Sequence, residues 1–104
     1  RVVASKRKSR WWAHQVSECV RGLAERYGWD LGRRHYSRQR VSVYMKLVCR
    51  VTGATLRVRV SDHPPCDAAR GMYRIERGRS WSPGDLICEM YRRRARRGGM
   101  ASDW

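Results

Sequence analysis

Ser42, Tyr44 and His63 are the residues whose types and spacing suit work on a phosphate ester, and Arg57 and Arg59 stand just before His63. A histidine exchanges a proton near neutral pH. A tyrosine hydroxyl donates a hydrogen bond, and guanidinium groups fork onto phosphate oxygens. With His63 as general acid or base and Tyr44 and Arg59 assisting, the set describes a metal-independent ribonuclease site. With the same side chains acting only as ligands, it describes a phosphate or nucleotide site. Tyr44, with an ordinary pKa of about 10, is a poor second proton carrier at neutral pH, which favours the ligand reading. A plainer alternative has His63 capping a strand end while Asp62 satisfies loop amides.

A β-hairpin must bring these residues together. Val41, Val43, Met45, Leu47, Cys49 and Val51 alternate with Arg40, Ser42, Tyr44, Lys46 and Arg50, with Val48 the exception. After Thr52-Gly53 the pattern resumes, Leu56, Val58 and Val60 against Thr55, Arg57, Arg59 and Ser61. Period-two alternation means a half-buried strand, and Thr-Gly between two such runs reads as a two-residue turn. That turn sets Cys49 against Leu56, Leu47 against Val58 and Met45 against Val60. It also sets Lys46 opposite Arg59, Tyr44 opposite Ser61 and Ser42 opposite His63. The polar face then displays Arg40, Lys46, Arg50, Arg57 and Arg59. Like charges facing each other are unfavourable, so such a face expects a polyanion over it.

The whole chain carries the same bias: 104 residues, 24 basic against nine acidic, and a net charge of +15. Such an excess repels itself in a compact domain unless an anionic partner offsets it. Nucleic acid is the first partner this suggests, and an anionic membrane or an acidic protein comes second. No apolar run is long enough to span a membrane. All the basic residues but Lys6, Lys8 and Lys46 are arginine, which suits phosphate forks and base stacking and equally follows from a GC-rich genome. The four cysteines are widely spaced. Cys19 and Cys49 fall on apolar faces, where a free thiol acts as a small hydrophobe. A reduced, cytoplasmic protein is therefore expected. A zinc site from Cys49, His63, Cys66 and Cys88 matches no familiar spacing. Scattered acids without a carboxylate pair argue against a two-metal nuclease. Neither metal nor cofactor is expected.

Around the hairpin, residues 1–10 read as a basic arm with Lys6, Arg7 and Lys8. A first helix is expected from about Arg10 to Tyr27, capped by Ser9, with Trp12, Val16, Cys19, Val20, Leu23 and Tyr27 as its inner stripe and Gly28 ending it. Residues 28–39 read as a connecting loop. Pro64-Pro65 stops the hairpin, and a short third strand follows at 72–77. Ser82-Pro83-Gly84-Asp85 opens a second helix with Leu86, Ile87, Met90 and Tyr91 inward. Arg92, Arg93, Arg94, Arg96 and Arg97 crowd its end beyond what the helix dipole requires. The expected fold is α+β in the order α-β-β-β-α: a three-stranded antiparallel sheet with both helices on one face. It spans residues 11–98 between the arm and a flexible tail at 99–104.

That order resembles the double-stranded-RNA-binding domain and the small HicA-type toxins that share it. The resemblance is one of topology. Where the former has a lysine-rich start to its second helix, this chain reads Ser82-Pro83-Gly84-Asp85-Leu86. The glycine-histidine signature of the latter has no counterpart, so neither family's site residues carry over. Locally, Ser42-Val43-Tyr44 with Val58-Arg59-Val60-Ser61-Asp62-His63 resembles a Ser-x-Tyr plus Val-Arg-x-Ser-Asp-His pattern of small phage and prophage proteins. It implies an origin on a mobile element and brings no chemistry.

The sequence thus points to a small Arg-rich nucleic-acid-binding protein. It would grip phosphates with Arg40, Ser42, Tyr44, Lys46, Arg50, Arg57, Arg59 and His63 on the sheet, Lys6, Arg7 and Lys8 in the arm, and Arg93, Arg94 and Arg97 at the helix end. The alternatives are a toxin-like ribonuclease using His63 and a phage inhibitor docking on an acidic host protein or a nucleic-acid-binding enzyme. RNA and DNA are not distinguished, and neither is oligomeric state.

Overall fold

The computed structural model describes residues 2–62 and 71–95, with side chains from Lys8 onward. Helix α1 (Val2–Arg26) is followed by strands β1 (Trp29–Tyr36), β2 (Ser42–Cys49), β3 (Thr55–Ser61) and β4 (Met72–Glu76), then helix α2 (Pro83–Arg94). The strands lie in the order β1-β2-β3-β4. The first three are antiparallel and β4 runs parallel to β3. The class is α+β, as expected, but the sheet is four-stranded and mixed rather than three-stranded and antiparallel.

The extra strand is β1, in the segment that reads as a loop. Trp29 and Leu31 pair with Cys49 and Leu47 on the apolar face; the register then shifts between Leu31 and Arg33, which turns Arg34 and Tyr36 to that same face. A bulge adds one residue and reverses the side-chain phase, so no continuous alternation survives in the sequence. Gly32 lies in the bulge, where a Cβ would meet the Lys46 carbonyl oxygen at 3.4 Å, an ordinary contact distance.

The β2–β3 hairpin keeps its expected faces but not its expected partners. Ser42 lies opposite Ser61, Tyr44 opposite Arg59, Lys46 opposite Arg57 and Leu47 opposite Leu56. The register is closed by Cys49 N donating to Ala54 O (2.8 Å) and Gly53 N to Cys49 O (2.9 Å), so the loop holds residues 50–53 rather than 52–53 alone. Gly53 takes a φ of 76° to make it. Displacement by a whole side-chain period leaves every residue on its own face, and aliphatic partners meet in both registers. The apolar pattern therefore could not choose between them; the turn does. The third expected strand is present as β4, but its parallel pairing excludes a hairpin with β3, and direction leaves no local mark in a strand of this length.

Helix α1 begins at Val2, so the backbone of residues 2–10 continues the helix rather than leaving it as an arm. Ser9 is buried inside the helix rather than at its start, and its hydroxyl bonds the Asp62 carboxylate. Ala13, Val16, Val20 and Ala24 form the buried stripe, Cys19 is exposed, and Gly28, at φ 85°, closes the helix as expected. In α2, Ser82 holds the N-cap position with Pro83 after it, but its side chain makes no capping bond. Leu86 and Met90 are buried, while Tyr91 is 57% exposed and meets Tyr27 edge-on at 6.3 Å. The buried faces of both helices join Trp29, Val43, Met45, Leu47, Leu56, Val58, Val60 and Ile75 in one core. Both helices thus cover one face of the sheet. No described helix covers the other.

Candidate nucleic-acid interface

Strand pairing arranges that second face in transverse rows. His35 lies beside Tyr44, Tyr44 beside Arg59, and Arg59 beside Arg74, one residue from each strand. The next row reads Arg33, Lys46, Arg57 and Met72. Adjacent residues within a row stand about 5 Å apart, and rows about 7 Å apart along a strand. Between them is an open trough of about 420 Å³ whose lining includes Gly32, Arg33, His35, Tyr44, Lys46, Val48, Arg57 and Met72. Arg33, His35, Tyr44 and Arg74 are exposed, and Lys46 and Arg57 are half-buried.

Among the described residues, acids are kept away from the centre of this face. Asp30 and Glu76 share it only at its margins, where Asp30 holds Arg50 at 2.5 Å and Glu76 holds Arg79 at 3.4 Å. On the helical side, Glu18 accepts from Arg34 (2.5 Å) and Arg21 (3.1 Å), Glu25 from Arg21, and Glu89 from Arg92 and Arg93. The hydrogen bonds from Arg34 and Arg21 hold the Glu18 carboxyl below its ordinary range. That pair also fixes Arg34 inward, and the bulge then leaves Arg33 facing out.

Arg59 differs from its neighbours. It is 5% exposed. One terminal nitrogen donates to Ser61 Oγ (3.1 Å), its guanidinium carbon lies 5.7 Å from the Tyr44 ring centroid, and its Nε is buried without a partner. Behind it, Ser42 Oγ and Ser61 Oγ share a buried hydrogen bond of 2.8 Å.

The structure brings together Tyr44, Lys46, Arg57 and Arg59, and distributes the other expected site residues elsewhere. Ser42 is buried with its hydroxyl on Ser61, so it is a support of the sheet and not a surface ligand. Arg40 is in the β1–β2 loop at φ 60°, its guanidinium over Tyr36 at 5.4 Å, off the open face. Arg50 is in the β2–β3 loop on Asp30. Arg93 donates to Glu89 within α2 and ties that helix to the Thr55 and Gly71 carbonyls, a structural clamp rather than a free cation. Arg94 is half-buried at the end of α2, and Lys8 is exposed on α1, whose backbone also includes Lys6 and Arg7. His63 and Arg97, like Cys66, lie outside the described residues. Sequence reading missed Arg33, His35 and Arg74. Arg33 and His35 were concealed by the bulge, and the only signal was the Trp29-x-Leu31 start with Tyr36 beyond Gly32. Arg74 belongs to a strand expected from sequence but whose neighbour was not.

Among the described residues no group of three or more His, Cys, Asp or Glu is placed to hold a metal ion. None of the described helices is long and apolar enough to cross a membrane. No family model, curated protein or solved structure matches this chain.

Proposed function

We propose that the protein binds nucleic acid through the open face of its sheet, holding phosphates with Arg33, Lys46, Arg57 and Arg74. The observation that carries this reading is the segregation of charge. Six of the seven acidic residues in the described part are in ion pairs with arginine, at the margins of the open face or beside the helices. In the central rows Arg33 and Arg74 are exposed and Lys46 and Arg57 half-buried, beside a trough, on a chain of net charge +15. Cations at strand spacing repel one another, and a polyanion laid over them lowers that cost. A phosphodiester backbone supplies one charge per nucleotide.

The reading separates cations by position, which makes it testable. Arg33→Gln and Arg74→Gln should each weaken binding of labelled RNA or DNA in a fluorescence-anisotropy titration. Arg21→Gln, on the helical side between Glu18 and Glu25, should leave affinity unchanged. Equal loss from all three would mean that net charge, and not this face, governs binding.

A further inference from the structure

We propose that the open face takes a single strand, with one unpaired base laid on the ring of Tyr44; this rests on the nucleic-acid reading above. Tyr44 is 39% exposed and stands at the middle of the cationic rows. Phosphate contact alone gives no reason for an aromatic there. The trough beside it includes Val48, Met72 and the bare backbone of Gly32, an apolar floor that a phosphate cannot use. A base face needs such a surface, but a duplex offers outward only phosphates, sugars and base edges and keeps its base faces stacked inside. In a single strand the base faces are free to stack on aromatic side chains.

Arg59 makes the ring a fixed platform. Its guanidinium lies over Tyr44 and, being 5% exposed, has little room to move. A ring held in place before binding loses less freedom on binding. Arg59 also carries a buried charge that meets no carboxylate among the described residues, and its Nε lacks a partner. A buried guanidinium in that state is costly by itself. A base on Tyr44 and its phosphate near the exposed Arg74, with Arg59 beneath as support, would together make one nucleotide's seat.

The test compares a short labelled single strand of mixed sequence, as RNA and as DNA, with a hairpin duplex of the same composition. Wild type, Tyr44→Ala and Tyr44→Phe are titrated by anisotropy at one salt concentration. The single strand should bind more tightly than the duplex. Tyr44→Ala should lose roughly 5- to 150-fold on the single strand, the range of one lost base–aromatic stack, and leave duplex affinity unchanged. Tyr44→Phe should keep the wild-type affinity. If circular dichroism shows that the alanine variant does not fold, Tyr44→Leu, which keeps bulk without a π face, replaces it with the same expectation. Duplex bound as tightly as single strand, or single-strand affinity indifferent to the loss of the ring, overturns the proposal while leaving phosphate binding standing. Wild type that binds neither overturns both.

Discussion

The register of the central hairpin can be read out through one buried hydrogen bond. Ser42 Oγ and Ser61 Oγ are 2.8 Å apart, both residues are buried, and Ser61 Oγ also accepts from Arg59. Ser42→Ala removes a single neutral bond and leaves Ser61 occupied by Arg59, a loss of about 1 kcal/mol. Ser61→Ala strands the Ser42 hydroxyl and takes away the acceptor of a buried guanidinium, a loss of roughly 2–4 kcal/mol. In the double variant no hydroxyl remains stranded, so its cost should fall short of the sum of the singles by about 1 kcal/mol. Urea unfolding of the four proteins measures each step, provided the slope m stays constant across them. With a two-residue turn at Thr52-Gly53, Ser61 would face Tyr44 and the serines would not touch. Additivity within about 0.5 kcal/mol is then the outcome, and it would refute the observed register.

Arg93→Ala should destabilise the protein by roughly 1–3 kcal/mol, since Arg93 is 19% exposed at its side chain and bonds Glu89 and two backbone carbonyls. Arg92→Ala, 74% exposed and joined to Glu89 alone among the described residues, should cost less than about 1 kcal/mol; thermal melts separate the two. Glu18 has a carboxyl held below its ordinary pKa of 4.5 by Arg34 and Arg21, so its contribution is present above that value and is lost as pH falls through the lower folded value. Glu18→Gln should therefore lower the urea midpoint at neutral pH, with the gap to wild type closing as pH falls below the ordinary carboxylate range; a gap independent of pH would mean that the ion pair is not its source.

What was legible in the sequence follows the physics of each element. The alternation from Val41 to Ser61 is local and regular, so both strands and their faces could be read, and Tyr44 does stand on the open side. Gly28 and Ser82-Pro83 mark helix ends through backbone geometry and were legible for that reason. β1 was not, because its bulge at Gly32 breaks the period and its inward Arg34 looks polar until Glu18 is placed against it. Arg40, Arg50 and Arg93 looked like surface cations in sequence. Tyr36, Asp30 and Glu89, which engage them, are brought near only by folding or by the helix turn. Ser42 and Ser61 share the parity of the open face, yet they are buried where the sheet meets Arg59. Parity tells the side of a sheet, not the depth.

Salt tests the central claim most directly. The logarithm of the binding constant should fall linearly with the logarithm of salt concentration, with a slope of about −0.7 per phosphate neutralised on a single strand. The Arg33→Gln/Arg74→Gln variant should show a slope shallower than wild type by about 1.4, two phosphate contacts fewer, whereas Arg21→Gln should keep the wild-type slope. Binding that ignores salt, or a slope unaltered by losing both open-face arginines, would contradict the account.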